Sequence, residues 1–176
     1  MTGSRWILRR RVNHSSLCRS GSSKLFKASR SEGIVCAHRK LTEKMNPIIT
    51  QQTLDELTEE AKASPRKRAH LDLRNSPEDG SQRMLNAIEP GSVLPIHRHM
   101  GSSETVVILR GHLREVFYND AGEVTEVIDL VPGGDCVALN IPLGQWHTVE
   151  ALESGTVILE CKDGPWEPLG EGEILV

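Results

Sequence analysis

The sequence predicts an all-β domain, a sandwich or barrel, with one short helix at its N-terminal side. Three observations carry this. Short apolar runs recur at even spacing over residues 84–88, 92–96, 105–109, 113–118, 124–130, 136–141, 148–152 and 156–161. Turn residues separate them: Pro90-Gly91, Arg110-Gly111, Asn119-Asp120-Ala121-Gly122, Pro132-Gly133-Gly134, Pro142-Leu143-Gly144 and Ser154-Gly155. Many short strands punctuated by Gly/Pro turns are the pattern of a sandwich or barrel. Finally, helical periodicity is confined to one segment before residue 66.

That segment has Leu54, Leu57 and Ala61 on one helical face. Thr53 and Glu56 fit a capping box, and Pro65 ends the helix. From residue 67 the period becomes strand-like, with Ala69, Leu71 and Leu73 alternating with His70, Asp72 and Arg74. The Ser76-Pro77-Glu78-Asp79-Gly80 stretch is turn chemistry.

The 176 residues allow one domain with a real core. Their net charge of −3 hides a division. Residues 1–44 carry eleven Lys/Arg against Glu32 and Glu43, a net of +9, which leaves −12 on residues 45–176. A sign change that sharp marks a boundary. The expected domains are thus a disordered basic leader, 1–44, and a functional domain, 45–176. The leader is Arg- and Ser-rich and acid-poor, as a mitochondrial transit peptide is. Its other reading, translation from a start upstream of a true first residue at Met45, is favoured because the patterned domain begins directly after that methionine. A cytoplasmic location follows from the second reading and a mitochondrial one from the first.

An acidic body argues against non-specific nucleic-acid binding, which needs basic surface to neutralise phosphates. No stretch is long and apolar enough to span a bilayer. Cys18 and Cys36 fall in the leader. Cys136 and Cys161 fall in apolar runs, where buried free thiols are expected.

The residues that point to chemistry read Gly91-x5-His97-x-His99-x4-Glu104-x6-Gly111, followed later by Pro142-x-Gly144-x2-His147. Alternate side chains of a strand share a face, so His97 and His99 project together. Glu104, across a short loop, supplies an anionic oxygen, and His147 completes the set from another strand. Gly111 permits a tight turn. Neutral imidazoles with one carboxylate suit one divalent transition metal ion: Fe, Mn, Zn, Ni or Co. Four protein ligands leave positions open for water or a ligand. Arg68, Arg83 and Trp146 are candidate ligand-binding residues. Arg66, Lys67 and Arg68 could meet an anionic group at a barrel mouth. Trp146 could stack on a sugar or shield the metal. Glu115, Glu150 and Glu160 are candidate general bases if they face inward.

These two stretches resemble the two motifs of the cupin superfamily. The first matches at every defined position. The second keeps Pro142, Gly144 and His147 but has Cys136 and Ala151 where Gly and Asn are usual. Over residues 47–168 the chain is similar to the WbuC-type cupin metalloproteins, in Ala63-Ser64-Pro65-Arg66-Lys67-Arg68-Ala69-His70, in Gln82–Gly91 running into Pro95-Ile96-His97-Arg98-His99, and in Glu160-Cys161-Lys162-Asp163-Gly164-Pro165-Trp166. It departs from them at Asp72 and Arg74, where Asn and His are usual. The resemblance implies a cupin double-stranded β-helix, a jelly-roll barrel, with a bound metal. Because members often occur among genes for surface-polysaccharide synthesis, it also points to sugar-related chemistry. The expected partner is a small polar or anionic ligand at the metal, and the expected assembly a homodimer through sheet edges. Three functions fit: Lewis-acid chemistry on a sugar or sugar phosphate, non-catalytic metal-dependent binding of a small ligand, and Fe(II) dioxygenation.

Overall fold

The computed structural model describes residues 48–175. The basic leader, its two cysteines and the start at Met45 lie outside them. The helix α1 spans Gln51–Ala63. It is capped one turn earlier than expected: Thr50 is the N-cap, and Thr50 and Thr53 each accept from the other's backbone N–H, so Thr53 serves as the third helical residue and not as the cap. Ser64 closes the helix directly before Pro65.

Eight strands follow: β1 Arg68–Asp72, β2 Ser81–Ile88, β3 Glu104–Arg110, β4 Leu113–Tyr118, β5 Val124–Leu130, β6 Ala138–Ile141, β7 Trp146–Ala151 and β8 Thr156–Asp163. They form two antiparallel sheets, in the orders β1-β2-β8-β3-β6 and β5-β4-β7. Alternation turns one side of each strand into the space between the sheets. There Ile88, Val106, Ile108, Leu113, Phe117, Leu130, Ile141, Ala151 and Ile158 pack as one core. This is the jelly-roll barrel expected of a cupin. A second core lies outside the larger sheet, where Leu54, Leu57 and Ala61 of α1 cover Leu85, Ala87 and Val157.

The run 92–96 is no strand. Pro95 cannot donate to a ladder, and side chains take neighbouring carbonyls instead: Arg68 Nη1 donates to Val93 O and Thr148 Oγ1 to Leu94 O. No helix among the described residues is long and apolar enough to cross a membrane. Cys136 and Cys161 are free thiols.

Arg110 ties the helix to the barrel. A register shift between Ile108 and Arg110 on β3 re-aims Arg110 outward. Its guanidinium then reaches Asp55, Leu54 O and Thr58 of α1 as well as Gly155 O. Next to it Gly111 has φ +81°, and a Cβ there would come within 2.6 Å of the Thr156 Cα. Gly111→Ala therefore combines left-handed strain with a backbone clash. It is expected to cost at least about 2 kcal/mol, read as a lower urea midpoint with unchanged slope.

Candidate metal centre

His97 follows an irregular segment but is held like a strand residue. Its N–H donates to His147 O at 2.9 Å, and the His147 N–H donates back to His97 O at 2.8 Å. This exchange lays the His97-x-His99 segment beside β7. Gly144, with φ +75°, donates to His99 O at 2.9 Å and fixes the far end. Residues from the C-terminal side clamp the other edge: Arg98 N donates to Glu173 O, Met100 N to Glu173 Oε1 and Leu175 N to Ile96 O.

These pairings gather the three imidazoles. One ring nitrogen from each of His97, His99 and His147 lies within 4.8 Å of the others. Two tautomers are fixed by carbonyls, which can only accept. His97 Nδ1 lies 3.1 Å from Pro95 O and His147 Nδ1 lies 2.9 Å from Gln145 O, so both Nδ1 atoms carry the proton. The Nε2 lone pairs are then free for an ion. Burial, with the neighbouring His147 and His99, holds His97 down at about 4. Burial likewise lowers His147, against the pull of its Gln145 bond and of Glu104. Both rings are neutral at physiological pH, the form a metal requires.

Glu104 opens β3 at the same level. Its Oε2 is 3.1 Å from His99 Nε2 and 4.0 Å from His147 Nε2. The atom is buried and receives no well-directed hydrogen bond. Burial alone would raise this carboxyl, but His99, Lys162 and His147 together outweigh it and keep Glu104 ionised. An anionic oxygen without a donor, beside three imidazole nitrogens, is the chemistry of a site that takes a cation.

Lys162, which was not among the expected site residues, also belongs to this group. In the ladders of β8, Lys162 stands opposite Glu104 of β3 and Gln82 of β2, so all three face the barrel interior. Its Nζ lies 3.0 Å from Glu160 Oε1, 3.1 Å from His99 Nε2 and 3.5 Å from Glu104 Oε2. Burial disfavours the ammonium, but Glu160 and Glu104 more than compensate. Glu160 is itself fixed by Gln82 Nε2 at 2.8 Å and Asn86 Nδ2 at 2.9 Å. The spacing Glu-x-Lys on an apolar strand was the available signal, since alternate residues share a face.

A cavity of about 460 Å³ opens from the centre. Its walls include His97, Glu104, His147, Glu160 and Lys162 at one end and Arg66, Arg68, His70 and Trp166 from outer segments. Of the residues expected to bind a ligand, Arg68 is in this wall. Arg83 and Trp146 are not. Arg83 falls on the face of β2 that carries Leu85 and Ala87, and it pairs with Asp79 at 2.7 Å. Trp146 precedes His147 on β7, so alternation turns it away. Its Nε1 donates to Asp120, and the Arg98 guanidinium lies 4.2 Å over its ring.

Of the candidate bases, Glu150 is exposed. Glu115 faces inward opposite Val149, fully buried, and neither of its oxygens has a partner. Burial, then the charges of Glu104 and Glu160, push it up to about 9. It is a neutral acid at physiological pH and not a base.

A family model described as a domain of unknown function (DUF6016) matches residues 49–130. A search of curated proteins gives no match. Among solved structures the chain is similar to KdgF from Halomonas sp., with 17% identity over 58% of this chain and 84% of that one and a TM-score of 0.47. It is similar to oxalate decarboxylase from Bacillus subtilis, with 20% identity over 61% of this chain and 27% of that one and a TM-score of 0.45. It is also similar to a recombinant oxalate oxidase in complex with glycolate, with 15% identity over 58% and 53% and a TM-score of 0.48. The chain thus spans about a quarter of the decarboxylase and about half of the oxidase.

Glu115 yields a pH prediction. Its pKa of about 9 in the fold lies above the value of about 4.3 for an exposed glutamate. Between these values the unfolded chain has lost a proton that the folded chain keeps. Its contribution is therefore full at low pH and declines as pH rises toward 9, by up to about 1.4 kcal/mol per pH unit. Glu115→Gln, which cannot ionise, is expected to flatten the decline of denaturation midpoint between pH 6 and 9. An unchanged pH slope would rule this out.

Proposed function

We propose that the barrel is a metal-dependent cupin in which His97, His99, Glu104 and His147 hold one divalent transition metal ion facing a small polar or anionic ligand. The observation that supports this best is the pairing of two carbonyl-fixed imidazoles with a buried, donorless Glu104 oxygen. Bound there, the ion would supply Lewis-acid polarisation to an oxygen of the ligand. The chain's own residues do the rest. The His97–His147 backbone pair orients the ligand atoms, Lys162 brings positive charge to the inner wall, and Leu94, Val149 and Ile158 in the cavity wall exclude water. Arg66 and Arg68 give the outer wall the sign that suits a phosphate or carboxylate, which favours a sugar acid or sugar phosphate over a neutral sugar.

Binding without turnover is the second reading, and one observation favours it. Glu160, the acid in the wall other than Glu104 and Asp72, already accepts from Gln82, Asn86 and Lys162, so it is not poised as a general base. The expected homodimer would use exposed sheet edges, for which β5 offers Val124 and Val127.

Metal analysis of the purified chain tests the common core of both readings. About one equivalent of a transition metal is expected in the wild type, and less than a tenth of that in the His97→Ala/His99→Ala double variant. Full metal content in the double variant would move the site elsewhere. Thermal shift with a panel of sugar phosphates and sugar acids separates the readings: a compound that raises the melting temperature only with metal present and is recovered unchanged supports binding, and one that is converted supports catalysis.

A further inference from the structure

We infer that Lys162 is an anion-binding residue whose donor is released when a metal ion takes His99, so that the ion and a small oxoanion bind cooperatively. The inference rests on the metal reading above and concerns a residue and a coupling outside it.

An ammonium carries three N–H donors and no acceptor. Lys162 directs two of them at Glu160 Oε1, 3.0 Å away, and His99 Nε2, 3.1 Å away, and its Nζ also lies 3.5 Å from Glu104 Oε2 without a directed bond to it. Of these three atoms, the last two are ones that an ion at the centre would use. Once the ion holds the His99 Nε2 lone pair, that nitrogen can no longer accept. Glu160 stays, because Gln82 and Asn86 pin it from β2. Lys162 is then left with an unfilled donor on a side chain only 13% exposed, and an unfilled buried donor is costly. The vacant donor lines the cavity beside His97, Glu104 and His147, so an oxygen can reach it and the ion together.

Charge points the same way. A divalent ion adds two positive charges to a wall where Lys162 alone faces the carboxyls of Glu104 and Glu160, and so draws an anion toward it. Arg66 and Arg68 extend the positive wall outward. The ligand class this fits is a small oxoanion, a carboxylate or a phosphate. The coupling is reciprocal: the anion must tighten the ion as much as the ion tightens the anion.

The test uses the full chain, metal-stripped and metal-loaded, with inorganic phosphate and acetate titrated separately by calorimetry. Metal affinity is measured in parallel by chelator competition, with and without each anion. One charge-assisted hydrogen bond corresponds to roughly a tenfold change in affinity. We expect at least one anion to bind the loaded wild type about tenfold more tightly than the stripped protein, and to raise metal affinity by the same factor. Phosphate alone would identify a phosphoryl ligand and acetate alone a carboxylate. Lys162→Met should keep its metal and lose this enhancement, and Lys162→Arg should retain most of it. If Lys162→Met misfolds by leaving Glu160 without a counter-charge, Glu160→Gln/Lys162→Met removes both charges, and the same loss is expected. Equal anion binding by the loaded wild type and Lys162→Met, equal binding with and without metal, or no binding of either anion overturns the inference while leaving the metal reading intact. A wild type that holds no metal at all overturns both.

Discussion

The reciprocal backbone hydrogen bonds between His97 and His147, 2.9 and 2.8 Å long, are the constraint on which the centre depends. They join a segment lacking regular strand structure to β7. Directly opposed residues in an antiparallel pair project to the same side, so these two bonds bring the rings together. Their centroids lie 4.2 Å apart. The Nδ1 bonds to Pro95 O and Gln145 O then settle which nitrogen of each ring is free. Backbone geometry places the imidazoles, and backbone carbonyls select their tautomers. No side-chain partner is needed for either task.

Around this frame the barrel interior holds more charge than an apolar core tolerates without partners. Glu104, Glu115, Glu160 and Lys162 all face inward from neighbouring strands. Each meets the cost of burial differently. Glu160 collects three donors, and Lys162 donates to Glu160 and His99. Glu115 has no partner and keeps its proton. Glu104 remains ionised with an unmatched oxygen. A core built for stability alone would place hydrophobic residues of similar size there. Buried groups kept at such a cost set this end of the barrel apart from its apolar core.

Much of this was legible in the sequence because it follows from strand alternation and from glycine. The His-x-His pair had to share a face, and Gly111 had to be a glycine because a Cβ would strike Thr156. Strands β2 to β5 and β7 to β8 lie where apolar runs predicted them, within a few residues. The misreadings have physical causes. Pro95 and side-chain capture of carbonyls removed the expected strand over 92–96. Arg83, at the start of an apolar strand, and Trp146, beside His147, were candidates to face the ligand, but alternation turns both to the opposite face. Lys162 escaped notice because its role comes from lying across the ladder from Glu104, a pairing between distant segments that local pattern cannot reveal. The helix cap fell on Thr50 because either threonine could begin the helix, and only the reciprocal bonds decide.

The clamp from Glu173 and Leu175 onto residues 96–100 makes the histidine segment depend on chain far away in sequence. The Arg98 to Gly172 contact spans 74 positions of sequence and the Met100 to Glu173 contact 73. Losing residues 172–175 would remove hydrogen bonds from the outer edge of residues 96–100 while leaving the eight strands and both cores in place, so the loss would be felt at the histidines before it was felt in the fold.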